Sequence, residues 1–131
     1  MGSFIEKSLK PVLLIGGAGT ALAGLNAFAP QFAVENVQNL DYVPSYTIFV
    51  QHWGIMVCLM GVFMIAAAFK ESWRTPILLY SLIEKAFMVY LVASNVNEEF
   101  SKGFWAPAGM DALIVLWTLA YFASRPKLQA A

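Results

Sequence analysis

The sequence predicts an all-α polytopic membrane protein, a bundle of four transmembrane helices in a single domain over residues 1–131. Two observations carry this. Four apolar segments divide the chain, each close to the length that crosses a ~30 Å hydrocarbon core at ~1.5 Å per residue. Charged residues make up only 12% of the chain, about half of the ~25% usual in soluble domains. A backbone in lipid must hydrogen-bond to itself, so the segments are expected as helices, roughly over 11–28, 47–69, 76–94 and 106–122.

The first segment, Pro11 to Phe28, follows Lys7 and Lys10 and ends in Ala27-Phe28-Ala29, which imitates a secretory signal and its cleavage site. It is longer than a signal core, and Pro30 would follow the cut. Gly16, Thr20 and Gly24 recur every fourth residue, with Gly17 and Ala21 beside them, a ridge that lets helix backbones approach closely. A retained helix is the expectation. The connection to the next segment is long. Pro30 suits a first helical turn, and Phe32, Ala33, Val37 and Leu40 then recur at helical spacing. Residues 29–46 therefore read as a short amphipathic helix on the surface or over the bundle, with a plain polar loop as the alternative.

The second segment, Thr47 to Phe69, has Ser45 as a possible N-cap, and Gly54 and Gly61 as a close-contact face for the first helix. His52, Met56, Met60 and Met64 recur every four residues, a stripe that suits helix packing better than a soft-metal path. A short turn, "KESWRTP", makes the third segment, Pro76 to Ser94, an antiparallel neighbour. The fourth runs from Ala106 to Phe122.

Lys7, Lys10, Lys70, Arg74, Arg125 and Lys127 fall on one side of this frame and only Lys102 on the other. That bias places both termini in the cytoplasm. Tyr42, Tyr46, Trp53, Phe104 and Trp105 gather near one boundary, and Trp73 and Tyr121 near the other, as membrane-interface aromatics do. A net charge of zero offers no basic surface for nucleic acid, so none is expected as a partner. The lone Cys58 excludes an intrachain disulfide, a Cys-x-x-Cys pair and a multi-cysteine zinc site. There is no phosphate-binding glycine loop and no His-Glu-x-x-His motif. No metal and no cofactor are expected.

Chemistry, if there is any, lies in the ionisable residues within the spans: His52, Glu84, Lys85 and Asp111. Such residues cost ~2.5–3.5 kcal/mol each on insertion scales and are usually paired or functional. Glu84 lies about 12 Å into the third helix, His52 about 9 Å into the second and Asp111 about 6 Å into the fourth, from the helical rise. Glu84 and Lys85 are adjacent, so they point about 100° apart and each needs a partner elsewhere. Lys85 is placed to reach Asp111, and Glu84 to meet His52. Three roles stay open for this cluster: a clamp fixing helix register, a proton-handling or substrate-orienting site, and a site shared with another subunit. Asp111 alone also reads as a carboxylate complementing a helix dipole. Trp53, Tyr80 and Asn95 are candidates to line a pocket.

"QHWGIMVCLMGVFMIAAAF", then "WRTP", then "LLYSLIEKAF" resemble the pattern of small bacterial four-helix membrane proteins of the broad DoxX-like type, over roughly residues 10 to 123. The resemblance implies a four-helix bundle in a bacterial inner membrane and an accessory place in a membrane complex, with no catalytic residue carried over. A more distant likeness of architecture is to sterol-isomerase-like bundles, whose polar side chains line an intramembrane pocket. The leading expectation is a non-catalytic subunit in the lipid bilayer. It would associate with itself or with a larger membrane complex through the small-residue faces of helices one and two. The alternative is a binding protein, carrier or isomerase-like enzyme for a small lipophilic molecule, with Glu84 as proton acceptor or counter-ion.

Overall fold

A computed structural model describes residues 2–129. The chain is all-α: α1 (Gly2–Ala21), α2 (Gly24–Phe28), α3 (Pro30–Phe32), α4 (Thr47–Phe69), α5 (Glu71–Ser94) and α6 (Trp105–Gln129), with no strand among the described residues. Four helical stretches are long and apolar enough to cross a membrane: Phe4–Phe28, Pro44–Phe69, Glu71–Ser94 and Glu99–Arg125. The protein is an integral membrane protein whose outward side chains, such as Ile15, Leu22, Ile83, Leu113 and Leu116, are exposed for contact with lipid.

The helices run antiparallel to their neighbours, and α4 packs on both α1 and α5. Glycine sets the α1–α4 distance. A Cβ on Gly17 would meet the Gly61 carbonyl oxygen at 2.7 Å, and one on Gly54 would meet the Ala27 nitrogen at 2.6 Å. A Cβ on Gly61 would collide with the Gly17 carbonyl oxygen and the Ala21 nitrogen, and one on Gly24 would meet Cys58 Sγ at 2.9 Å. Gly16 sits against Ile114 of α6. The seam thus runs through Gly17, Ala21 and Gly24 and is closed within the chain, while Gly16 of the expected ridge turns to α6. With its glycines matched to partners, α1 is an integral member of the bundle.

Below the seam lies a core of Leu13, Met60, Met64, Ala67, Leu78 and Ile114. Two helices start earlier than their prolines suggest. α1 continues through Pro11 back to Gly2 because the turn before the proline is itself packed: Ile5 is buried, and Ser8 Oγ accepts a hydrogen bond from Trp117 Nε1 of α6 at 2.9 Å. α5 begins at Glu71, with Pro76 inside it. Lys70 alone breaks the helix between α4 and α5. The Arg74 guanidinium donates to the carbonyls of Ala67 and Ala68 at 3.0 and 3.4 Å, satisfying α4's terminal acceptors, and Trp73 packs edge-on against Phe63. Basic residues lie on aromatic rings at this end of the bundle: Lys10 on Phe69, Lys70 on Trp73 and Arg125 on Tyr121.

The opposite end carries a cap. α2 continues the line of α1 after a turn, then α3 leads into a wide π-type turn over Ala33–Val37. Ala33, Val34 and Gln38 face inward, while Phe32 and Val37 are exposed. The face is thus displaced from the Phe32–Ala33–Val37–Leu40 pattern, because the π turn adds a residue to the helical repeat. Gln38 Nε2 donates to Asn26 Oδ1 at 2.8 Å with both residues buried, and the Gln38 backbone carbonyl lies against Gly103. Asn39 then takes a left-handed φ of 55°, which asparagine tolerates, and turns the chain toward α4. Ser45 does not cap α4. The Thr47 hydroxyl, just after a 3₁₀ turn over Pro44–Tyr46, is bonded to the Pro44 carbonyl and to the Tyr42 hydroxyl. A second 3₁₀ turn, Glu99–Phe104, closes the cap from the α6 side.

Gly61→Ala will test the seam. Its Cβ meets the α1 backbone at both Gly17 and Ala21, so unfolding in mixed micelles should show a loss of about 1–3 kcal/mol. Gly109→Ala on the open face of α6, where a Cβ meets nothing, should change stability little.

Candidate functional site

The polar centre of the bundle is Lys85 of α5, 1% exposed. Its ammonium donates to Asp111 Oδ1 of α6 at 2.7 Å and to Thr20 Oγ1 of α1 at 2.9 Å. Thr20 in turn donates its hydroxyl to the Gly16 carbonyl at 2.7 Å. Three helices meet on one cation. Asp111 lies beyond the first turn of α6, so its partner is the ammonium and not the helix dipole. A buried ammonium is strongly disfavoured unless ion-paired and hydrogen-bonded, and both conditions are met here.

Glu84 is arranged differently. Its Oε2 lies 4.0 Å from Lys85 Nζ, outside hydrogen-bond reach, and that buried oxygen has no hydrogen-bond partner among the described residues. Glu84 lines a cleft of about 270 Å³ between α4 and α5, together with Trp53, Met56, Met60, Tyr80 and Phe87. Trp53, Tyr80 and Phe87 are exposed on the lipid-facing side, so the cleft opens toward the bilayer.

His52 does not join the cluster. It is exposed on α4, and no ion pair connects it to Glu84 among the described residues. The stripe it begins explains why. Each four-residue step overshoots a full turn by about 40°. Exposure accordingly falls from His52 through Met56 at 47% to Met60 at 7% and Met64 at 0%. Met64 ends in the core, where its sulfur accepts the Ser81 hydroxyl at 3.8 Å.

A larger cavity of about 570 Å³ lies under the cap. Phe49, Val50 and Trp53 of α4 form one wall and Met88, Leu91 and Val92 of α5 the other. Asn26, Gln38, Asn95 and Ser101 supply a few polar groups from the cap and the helix ends. Trp53, Met88 and Leu91 line both spaces, so the cavity and the cleft adjoin and together lead from the cap toward Glu84. The pocket candidates from the sequence divide between them: Asn95 lines the cavity, Tyr80 the cleft and Trp53 both. A mostly apolar space of this size with a few convergent polar groups has the form of a small-molecule site.

Thr20, Asn26 and Gln38 were not expected. Thr20 had a signal, being the only hydroxyl between Pro11 and Phe28. Asn26 and Gln38 had none, because their pairing depends on how the cap folds back.

Comparison of the chain with protein-family models, curated proteins and solved structures finds no match.

Lys85→Met leaves Asp111 buried without its cation and should cost about 3–5 kcal/mol of stability in chemical unfolding. The double variant Lys85→Met/Asp111→Leu should recover most of that loss, since it removes both charges together.

Proposed function

We propose that the protein is an intramembrane binding protein or carrier for a small lipophilic molecule, held in the cavity between α4, α5 and the cap. The observation that supports this reading best is the adjoining cavity and cleft, of about 570 and 270 Å³, which has apolar walls and a lateral opening between Tyr80, Phe87 and Trp53. A lipophile dissolved in the bilayer reaches such an opening without crossing water. In this reading Glu84 is the polar group that orients the guest. Lys85 and Asp111, already satisfied by each other and by Thr20, hold the frame. The basic residues around the termini support a cytoplasmic location for both ends, which puts the cap on the other face of the membrane. The DoxX-like resemblance of the "HWG" and "EK" segments belongs to the same proposal, with a bacterial inner membrane as the setting.

The subunit reading keeps one surface. The glycine faces of α1 and α4 are consumed in their own seam, but Gly109 of α6 is exposed with open space above it, beside Leu113 and Leu116. A neighbouring helix would pack closely there.

Native mass spectrometry of the gently solubilised protein separates the two readings. The binding reading expects one stoichiometric lipophilic molecule, lost when Val92→Trp fills the cavity while the fold and thermal unfolding persist. A reproducible homo-oligomer or partner chain, with no small molecule and no effect of Val92→Trp, would favour the subunit reading.

A further inference from the structure

We infer that the guest is an organic monocation, a lipophilic amine in its ammonium form, with Glu84 as its counter-ion in the α4–α5 cleft. The inference rests on the cavity reading above and adds the chemical class of the guest.

Three observations carry it. The first is the charge count at the centre of the bundle. One ammonium, Lys85, faces two carboxylates. Asp111 takes it at 2.7 Å, and Glu84 stands off at 4.0 Å. His52, the chain's single histidine, is exposed and makes no ion pair with Glu84 among the described residues. Glu84 therefore has no hydrogen-bond donor among the described residues, and it shares with Asp111 a single ammonium that sits closer to Asp111. A guest that brings a donor and a second positive charge completes the site.

The second is the lining of the cleft. Trp53, Tyr80 and Phe87 stand around the same space as Glu84. Aromatic faces beside a carboxylate form the environment that favours ammonium groups, through the negative faces of the rings. Neither feature favours an anion, and a neutral guest would leave the charge of the carboxylate uncompensated.

The third is the shape. The cleft adjoins the larger apolar cavity at Trp53, Met88 and Leu91. An amine seated at Glu84 can extend its apolar body there. Asp41, the other carboxylate on the cavity wall, is exposed at the cap, where water weakens its attraction. Glu84 lies about 12 Å into the apolar run that starts at Pro76, deeper than a lipid headgroup sits. The guest is accordingly a small bilayer-soluble amine and not a phospholipid headgroup.

The test uses a matched pair, naphthylethylamine and naphthylethanol, titrated calorimetrically into the full-length protein in uncharged maltoside micelles, with partition into empty micelles subtracted. The wild type should bind the amine at least roughly tenfold more tightly than the alcohol, the scale of a charge-assisted hydrogen bond. Glu84→Gln should bring that ratio close to one, chiefly by weakening the amine. Phe87→Leu, a change at an exposed position, should weaken the amine several-fold and the alcohol much less, which gives a second test if Glu84→Gln is poorly folded. Equal binding of both probes to the wild type would overturn the inference and leave the cavity reading standing. A ratio that survives Glu84→Gln, or that disappears in Asp41→Asn instead, would overturn it too. Binding of neither probe would overturn the cavity reading itself.

Discussion

The structure turns on one cation buried in an apolar bundle. Moving an ammonium out of water costs several kcal/mol even after relaxation, and the cost is recovered only where good geometry surrounds it. Lys85 finds that geometry by reaching two other helices, through Asp111 of α6 and Thr20 of α1. Apolar contacts alone would let α5 and α6 settle in several rotations, because lipid and helix surface are about equally apolar. The ion pair selects one. It therefore acts on register as much as on stability. That register turns Glu84, about 100° further round α5, toward α4 and the cleft.

A second constraint shapes the space that Glu84 meets. The glycines of α1 and α4 bring those backbones together along most of the seam, from Gly17 and Gly61 to Gly54 and Ala27. The α4–α5 pair has no comparable seam. Its clearest side-chain contacts, Phe63 with Trp73 and Met64 with Ser81, lie toward the end that carries the turn at Lys70. Toward the other end the facing residues are Phe49, Val50 and Trp53 against Met88, Leu91 and Val92, and there a cavity lies between them. The cap closes over that gap and is fixed by Asn26 and Gln38, two of the groups that line it. Tight packing on one side of α4 and open space on the other have the same origin, the placement of small and large residues around a single helix.

Much of this was legible in the sequence. Hydropathy located the four spans, because lipid leaves a backbone few alternatives. The small residues of the first two spans pointed to a close contact, but of the Gly16–Thr20–Gly24 ridge only Gly24 lies in the α4 seam, with Gly16 on α6 and Thr20 on Lys85; charge complementarity pointed to Lys85 with Asp111. What failed depended on contacts between distant parts of the chain. Hydropathy starts two helices at Pro11 and Pro76, but Ile5, Ser8 and Arg74 extend both through packing that no local signal records. Depth and charge make His52 a partner for Glu84, but the rotation of α4 decides which side chains face α5, and it leaves His52 exposed. The cap was undecided between helix and loop, and its π turn and the Asn26–Gln38 bond exist only once it folds over the bundle.

The adjacent pair Glu84-Lys85 looks wasteful in a membrane helix if both charges serve one purpose. Side by side in sequence, they cannot share a direction, and the structure gives them opposite circumstances. Lys85 is enclosed, bonded twice and inaccessible, while Glu84 keeps an unpaired oxygen beside an aromatic cleft. A clamp at Lys85 and the proposed site at Glu84 are then separate properties of neighbouring residues and need not compete as explanations of one cluster. The clamp would also serve that proposed site. Because Asp111 engages Lys85 directly, the ammonium is not drawn fully to Glu84, and the second carboxylate stays open toward the cleft. The acid on α6 thus decides how one ammonium is divided between two carboxylates, 2.7 Å from Asp111 and 4.0 Å from Glu84.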